Sequence, residues 1–316
     1  MKVEITNKGL LSLIIDGGRV GRQKDGFCQS GPMDELAYNW ANFLAFNMDN
    51  TPCLEVMGNI SLQVTEACAI AATGRDVTLK VNGEHRPHYT TVLLNAFDEV
   101  SVGSATLGCK AYLAISGNWQ VPDVVGSAST VMREGLGGLN ENGQPLQQGH
   151  VFEIKQNSLL NIERKRLRKL HQALRPKYNL EIPINVIPGY QIDRFSNVAQ
   201  QLFVSSEYTV TSSIDRMGYR FNGPDIRSSI DTMRSEAVHL GAVQVPPDGQ
   251  PIVMMRDRQT LGGYPKLGCV NPIDINRLAQ AVPGEKIHFA FQNNEAARAQ
   301  CLLATSRMRQ LQGEML

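Results

Sequence analysis

The sequence has few aromatic residues, no excess of either charge and no long apolar run. Aromatic side chains make up 6% of the 316 residues, and 31 Lys and Arg residues balance 30 Asp and Glu residues. This balance gives no electrostatic reason to expect a nucleic acid or an anionic membrane as partner, and scarce aromatics disfavour base stacking. No stretch approaches the roughly 18 apolar residues that span a bilayer.

The cysteines form no CxxC pair, which excludes a zinc ribbon and disfavours a disulfide framework. The six are Cys28, Cys53, Cys68, Cys109, Cys269 and Cys301. The first residues lack the apolar segment and small-residue cleavage site of a signal peptide. We therefore expect a reduced, cytoplasmic protein without a metal site.

Several catalytic and nucleotide-binding motifs are also missing. The sequence contains no GxxxxGK[ST] loop, no GxGxxG after a strand, no HExxH and no GxSxG elbow. His85 and His88 flank Pro87 just after a predicted hairpin turn, without further ligands nearby. An exposed turn is favoured over a metal site for these histidines.

Short β-type runs interrupted by Gly, Pro and Asn dominate the first half of the chain. Residues 77–81 alternate apolar and polar side chains, and Asn82-Gly83 after them is typical of a type I′ hairpin. Residues 109–115 predict a buried strand. Alternating βαβ units are missing, which argues against a doubly wound parallel sheet. The pattern indicates a mainly β protein.

Four segments predict helices. One follows Asp34 as N-cap, a short one is capped by Asp274 and extends through Leu278, one covers residues 157–174, and a terminal one covers about 294–312. The third is rich in Lys and Arg, so it could bind a polyanion. A solvated helix bridging two domains is favoured, because no aromatics accompany the charge.

The length suggests two domains, at about 150 residues per domain. The basic segment and the prolines after it mark the best boundary. We expect an N-terminal β domain over residues 1–175 that includes this segment. A C-terminal β domain with a terminal helix is expected over residues 176–316.

Two dense polar and glycine-rich segments are candidates for ligand binding. The first runs from Asp16 through Gly21 to Asp34, where glycines permit close backbone approach and a helix N-terminus offers N–H groups to an anion. A strand end, a turn and an N-cap without a ligand are the favoured interpretation of this segment.

The second segment comprises residues 241–251 and 256–266, two polar loops on either side of the apolar strand 252–255. Such loops could line the rim of a barrel and bind a small carbonyl or amide ligand. Tight turns that satisfy their own backbone are the alternative. Nearby, Arg216 could meet a ligand carboxylate bidentately or form a structural ion pair.

Ordered motifs across residues 10–290 closely resemble the biotin-dependent carboxyltransferase / 5-oxoprolinase C-subunit family, also described as allophanate hydrolase subunit 2 or KipA-like. They are Asp16-Gly17-Gly18-Arg19-x-Gly21, Gly31-x-Met33-Asp34, residues 111–117, Gly126-Ser127-x-Ser129-Thr130, Gly137-Gly138-Leu139, residues 215–220 and residues 244–266. The resemblance implies two cyclophilin-like β-barrel domains with a few short helices and a C-terminal helix. Pro32 stands where relatives more often carry a small residue.

The resemblance also implies function. It points to the C component of a prokaryotic 5-oxoprolinase, which acts with a KipI-like B component and an A component to convert 5-oxo-L-proline, ATP and water to L-glutamate, ADP and phosphate. The resemblance further implies that the chain alone is inactive and that ATP is the cofactor of the assembled complex. Alternatives are the carboxyltransferase of a biotin-dependent urea carboxylase, or a KipA-like regulator that binds a kinase inhibitor. Because no biotinylation motif or ATP-grasp segment occurs here, biotin would have to arrive on another chain.

The second polar segment supplies most of the site residues that we expect. Gln244, Gln259, Thr260 and Tyr264 are expected to line the site and donate hydrogen bonds. The remaining candidates are charged: Lys266 and Arg216 for a substrate carboxylate or phosphate, Asp257 as a base or as its orienting group, and Arg19 and Asp34 as second choices at the barrel rim or a subunit interface. Asp257, Lys266 and Tyr264 are the expected catalytic residues.

Overall fold

A computed structural model describes residues 1–155, 167–230 and 233–315. The chain divides into two compact units. The first comprises residues 1–22, 29–177 and Met315, and the second comprises residues 23–28 and 178–314.

The first unit is built from twelve strands and one α-helix among the described residues. The strands are β1 (Lys2–Asn7), β2 (Leu11–Ile15), β3 (Cys53–Met57), β4 (Asn59–Val64), β5 (Cys68–Gly74), β6 (Val77–Val81), β7 (Glu84–Arg86), β8 (Val92–Leu94), β9 (Glu99–Ser104), β10 (Lys110–Ile115), β11 (Asn118–Trp119) and β12 (Val151–Lys155); the helix is α1 (Glu35–Leu44). They form antiparallel sheets of order β11-β12-β1-β4-β9-β6-β7 and β2-β3-β10-β5-β8. Apolar side chains of both sheets share one buried core.

Three local predictions in the first unit are confirmed. Asn82 and Gly83 have positive φ of 51° and 83°, and connect β6 to β7 as the hairpin requires. The Asp34 carboxylate accepts a hydrogen bond from Ala37 N at 3.0 Å, which caps α1 as predicted. The predicted buried strand 109–115 is confirmed as β10, whose side chains are all buried.

The second unit contains a closed barrel of order β13-β20-β17-β18-β15-β14-β21. The strands and α-helices of the second unit are β13 (Ile184–Pro188), α2 (Asn197–Ser205), β14 (Glu207–Ile214), β15 (Gly218–Asn222), β16 (Glu236–Ala237), β17 (Ala242–Gln244), β18 (Ile252–Met254), β19 (Leu261–Gly262), β20 (Lys266–Val270), α3 (Pro272–Ala279), β21 (Lys286–Phe291) and α4 (Asn294–Glu314). Strands β16 and β19 form a separate two-stranded ribbon. Phe289 anchors an aromatic cluster with Phe203, Tyr208 and Phe221, with ring centroids 4.5–5.6 Å apart. The mainly β fold with few helices is confirmed.

The predicted cap of the short helix is wrong by three residues. Asn271 caps α3, because its side-chain oxygen accepts a hydrogen bond from Ile273 N at 3.1 Å and Pro272 begins the first turn. Asp274 lies inside the helix, where its carboxylate accepts hydrogen bonds from Asn185 and Arg277. The helix α2, capped by Ser196, was not predicted.

The predicted basic helix is wrong over residues 167–174, and its remainder lies outside the described residues. Arg168 O accepts a hydrogen bond from Thr91 N, and Leu170 N donates to Tyr89 O, so this segment runs extended before a 3₁₀ turn at Gln172–Leu174. The Arg168 guanidinium lies 4.4 Å from the ring centre of Phe43. Tertiary packing has overridden the helical pattern.

The terminal helix α4 is confirmed but mostly exposed, and among its described side chains only Ala297 is buried. Near its start, Asn271 donates to Gln300 at 3.0 Å. None of the helices formed by the described residues is both long and apolar enough to cross a membrane.

Candidate functional site

A groove of about 760 Å³ lies on the barrel of the second unit. Its lining residues come from β14, β15, β17, β18, the turn between β14 and β15, the loop after β18 and the loop between β19 and β20: Ser212, Ser213, Ile214, Asp215, Met217, Gly218, Arg220, Gln244, Ile252, Met254, Gln259 and Tyr264. Three of the residues expected from the sequence, Gln244, Gln259 and Tyr264, line this groove.

Strand pairing explains why these side chains face the groove. Side chains alternate between the two faces of a strand, and Tyr219, Val243 and Val253 are fully buried on one face. Their neighbours Arg220, Gln244 and Ile252 therefore point to the opposite face, where the groove lies. The groove therefore lies against this face of the strands.

The amide of Gln244 is the most unusual group in the groove. The side chain is 1% exposed, and its Nε2 atom has no hydrogen-bond partner among the residues that the structure describes. A Cβ atom added at Gly262 would lie 2.7 Å from this nitrogen, so the absence of a side chain there leaves room for the amide. A buried donor without a partner is costly unless a ligand accepts its hydrogen bond.

Arg216 and Asp257 form a buried bidentate ion pair. Arg216 Nε donates to Asp257 Oδ2 at 2.8 Å and Nη2 donates to Oδ1 at 3.0 Å, with both side chains about 95% buried. Asp257 N also donates to Arg216 O at 2.7 Å. Of the two alternatives for Arg216, this geometry matches the structural ion pair. Both carboxylate oxygens of Asp257 are occupied, so the arrangement gives no support to its expected role as a base.

Lys266 lies in a polar cluster that sequence reasoning missed. Its Nζ atom donates to Glu236 Oε2 at 3.1 Å, and its backbone N donates to Gln191 Oε1 at 2.7 Å. Gln191 Nε2 and the Tyr190 hydroxyl donate to the same Glu236 oxygen. The ammonium group of Lys266 is thus neutralised by one carboxylate. No sequence signal places Gln191 near Lys266, because 75 residues separate them.

Thr260 contributes through its backbone, since its carbonyl accepts a hydrogen bond from Val238 N at 3.0 Å. Tyr264 is 40% exposed and stands at the groove mouth. Arg258, also missed, is buried and donates to the carbonyls of Val238 and Met255. Burial, and then the nearby charge of Arg256, lowers the pKa of Arg258 to about 10. These contacts fix the loop after β18 that carries Gln259.

The second-choice residues Arg19 and Asp34 belong to the first unit and have structural contacts there. Arg19 is fully buried, and its guanidinium donates to Val124 O at 3.0 Å and Ser127 O at 3.3 Å. Asp34 N donates to the Tyr112 hydroxyl, which donates to Glu55 at 2.7 Å. Burial, and then Glu55, raises the pKa of Tyr112 well above its ordinary value, so its phenol stays protonated.

The chemistry of the groove suits a small planar amide. Gln244 offers an amide donor, Tyr264 a phenol, and Ile252 and Met254 an apolar wall. The ureido ring of biotin is such a planar amide, and these groups would suit it as well. A triphosphate fits poorly, because Arg220 is the single Lys or Arg among the lining residues that the structure describes and the acidic Asp215 lines the groove as well. Within the described residues, no group of three or more His, Cys, Asp or Glu side chains could hold a metal ion.

The chain is similar to several known proteins. Residues 25–291 match the family described as carboxyltransferase domain, subdomain A and B. The C subunit of 5-oxoprolinase from Escherichia coli is 31% identical over 91% of this chain and 90% of its own length. That of Haemophilus influenzae is 32% identical over 94% of this chain and 93% of its own length.

Solved structures show the same fold. The urea carboxylase of Kluyveromyces lactis superposes with a TM-score of 0.85 at 26% identity. The match covers 94% of this chain and 28% of that longer protein. The family match and the two nearly full-length relatives together show that this chain belongs to the carboxyltransferase family of subdomains A and B.

Proposed function

We propose that this chain is the C component of a prokaryotic ATP-dependent 5-oxoprolinase and acts with the A and B components of that enzyme. The main support is sequence similarity to two proteins named as the C subunit of 5-oxoprolinase. This similarity extends over at least 90% of this chain and of each relative. The groove supports it with an unpartnered amide donor beside an apolar wall among the described residues. In the proposed reaction, 5-oxo-L-proline, ATP and water give L-glutamate, ADP and phosphate.

The proposed contribution of this chain is to hold the lactam and polarise it. Ring opening of a lactam is slow because resonance stabilises the amide, and ATP supplies the activation of its oxygen. Gln244 Nε2 donates a hydrogen bond to the lactam oxygen and so orients this oxygen for its activation by ATP. The apolar wall contacts the ring carbons, and Tyr264 limits water at the mouth. Deleting one such preorganised donor costs about 3–4 kcal/mol of transition-state stabilisation.

Lys266 is proposed as a cation for developing negative charge near Gln244. The two residues are opposite each other on β20 and β17, so their side chains leave the barrel on the same face. Glu236 holds the ammonium group in place through its hydrogen bond. Asp257 and Arg216 are proposed to act by holding the loop after β18 in place.

The test is 5-oxoproline-dependent ATP hydrolysis by this chain mixed with the A and B components, with each of the three omitted in turn. We expect turnover only with all three. The Gln244→Leu variant should lower kcat about 10²- to 10³-fold in the assembled complex. A matched control is Gln200→Leu on α2, whose amide donates only to two backbone carbonyls. Turnover that persists without this chain would refute the proposal, and so would a folded three-component complex that shows none.

A carboxyltransferase function is the second candidate, favoured by the superposition on a urea carboxylase. In that case the amide donor of the groove binds urea or the ureido ring of biotin. Carboxyl transfer from a carboxylated biotin carrier to urea, with no 5-oxoproline-dependent ATP hydrolysis, would support it. Binding to the KipI-like B component without any turnover would instead favour a KipA-like regulatory role.

A further inference from the structure

Arg220 lines the groove with a positively charged side chain, and the sequence analysis did not name it as a candidate site residue. We propose that Arg220 binds a ligand carboxylate, so that the groove selects small cyclic amides that carry an acidic substituent. This inference rests on the proposed function and names the feature of the substrate that the groove recognises. It replaces Arg216, which the sequence had suggested for the carboxylate.

Strand register places Arg220 in line with the amide donor. Gln244 on β17 is opposite Ile252 on β18, and Ile252 is opposite Arg220 on β15. Register partners point to the same face of a sheet, so the three side chains form a row along the groove. Adjacent strands are about 4.8 Å apart, which puts the Cα atoms of Gln244 and Arg220 about 10 Å apart. Ile252 between them offers an apolar floor for one small ring.

The two candidate arginines differ in how firmly they are held. The Arg216 pair with Asp257 is bidentate and almost fully buried, and breaking such a pair leaves an unpaired buried charge. Arg220 donates to Asp248 with side chains that are 31% and 50% exposed. A partly solvated pair is worth little, so a ligand carboxylate can replace Asp248 at low cost.

The contact with Asp248 also shows that Arg220 is placed to bind a carboxylate. Asp248 keeps a second role, because its Oδ1 atom accepts a hydrogen bond from Gln250 N at 3.1 Å. The other charged group that lines the groove, Asp215, accepts hydrogen bonds from Met217 N and Gly218 N. Its carboxylate is thus engaged with the backbone, and Arg220 remains the groove cation for an anionic substituent.

The experiment compares two probes that differ only in the carboxylate. Binding of 5-oxo-L-proline and of 2-pyrrolidone to the full chain is measured by titration calorimetry. KM and kcat for 5-oxo-L-proline are measured in the complex with the A and B components. The wild type should prefer the carboxylated lactam by about 10- to 100-fold, the range of one charge-assisted contact.

Substitutions at Arg220 and at Asp248 should move this preference in opposite directions. Arg220→Gln should abolish it while leaving 2-pyrrolidone binding unchanged, and Arg220→Lys should restore part of it. Asp248→Asn keeps an oxygen for Gln250 N but removes the competing charge, so it should tighten 5-oxo-L-proline binding severalfold. Arg227→Gln is the matched control, because Arg227 pairs with Asp225 at the surface and does not line the groove. Melting curves confirm that each variant is folded.

The outcomes separate this inference from the proposed function. If the wild type binds or turns over 5-oxo-L-proline and Arg220→Gln has the same affinity or KM, the inference is wrong and the function stands. If the folded wild type neither binds it nor turns it over in the complex, the proposed function fails, and the inference fails with it. Raised KM at unchanged kcat in Arg220→Gln, with Arg227→Gln normal, supports the inference.

Discussion

The ion pair between Arg216 and Asp257 makes a prediction that separates a structural role from a catalytic one. In Asp257→Asn, one oxygen still accepts a hydrogen bond from Arg216, but the guanidinium loses the negative charge of Asp257 in a site that is about 95% buried. Removing one partner of a buried pair costs about 3–5 kcal/mol, and the lower end applies because one hydrogen bond survives. At 2–4 °C per kcal/mol, we expect the melting temperature to fall by about 6–12 °C.

A control on the same barrel calibrates this loss. Glu207 and Lys286 pair across β14 and β21 with side chains 42% and 64% exposed. Glu207→Gln should therefore cost less than about 1 kcal/mol. Replacing both buried partners by apolar side chains, Arg216→Met with Asp257→Leu, should recover part of the stability that Asp257→Asn loses.

The assay needs a signal from the second unit. Both tryptophans, Trp40 and Trp119, belong to the first unit, so tryptophan fluorescence does not report directly on the barrel. Hydrogen exchange of peptides from β15 and β18, together with urea unfolding followed by circular dichroism, reports on it. If Asp257→Asn loses no more stability than Glu207→Gln while oxoprolinase turnover disappears, the structural reasoning is refuted and Asp257 belongs to the chemistry.

Three further predictions test other parts of the structure. Gly262→Ala should displace the Gln244 amide and lower activity about tenfold, with less than about 1 kcal/mol lost in unfolding; unchanged kinetics would remove the amide from the site. Gly137→Ala should destabilise the first unit by about 2–3 kcal/mol in urea unfolding followed by tryptophan fluorescence, because its φ is +67° and the new Cβ would clash with the backbone carbonyl oxygen of Ser129. Burial, and then Arg175, lowers the pKa of His88, so below about pH 6.5 the unfolded chain binds a proton that the folded chain does not. Wild-type melting temperature should thus fall between about pH 7.5 and 5.5, and fall less in His88→Gln.

Gly83 and His85 provide controls for two of these predictions. Gly83 has a positive φ of 83° but open space around it, so Gly83→Ala should cost about 1 kcal/mol, less than Gly137→Ala. Equal losses would contradict the steric argument. His85→Gln, three residues before His88 on an exposed strand, should keep the wild-type pH dependence.

Features encoded by neighbouring residues could be predicted from the sequence. The Asn82-Gly83 turn and the Asp34 cap each depend on contacts within three residues, and both were found. The helix predicted over residues 167–174 failed because Arg168 pairs with Thr91, 77 residues away. Helical spacing carries no information about such a partner.

The candidate site could also be predicted only where its residues are neighbours in the sequence. Gln244, Gln259 and Tyr264 could be placed near one another, because all lie within or beside one strand-and-loop segment. The partner of Arg216 could not be decided, since a ligand carboxylate and Asp257 satisfy a guanidinium in the same way. Arg220 was passed over because only strand register shows that it shares a face with Gln244.

Strand register also limits how this groove can evolve. The distance between the amide donor and the guanidinium is set by the backbone ladder of β17, β18 and β15. A substitution on the same strands can change the length or charge of a side chain. It leaves the Cα positions in place, and across the ladder these are separated by steps of about 4.8 Å, the spacing of adjacent strands. A relative that binds a much larger ligand could therefore place its second contact on a different strand. Comparing which strand carries the cation offers a structural criterion for sorting members of this family by substrate.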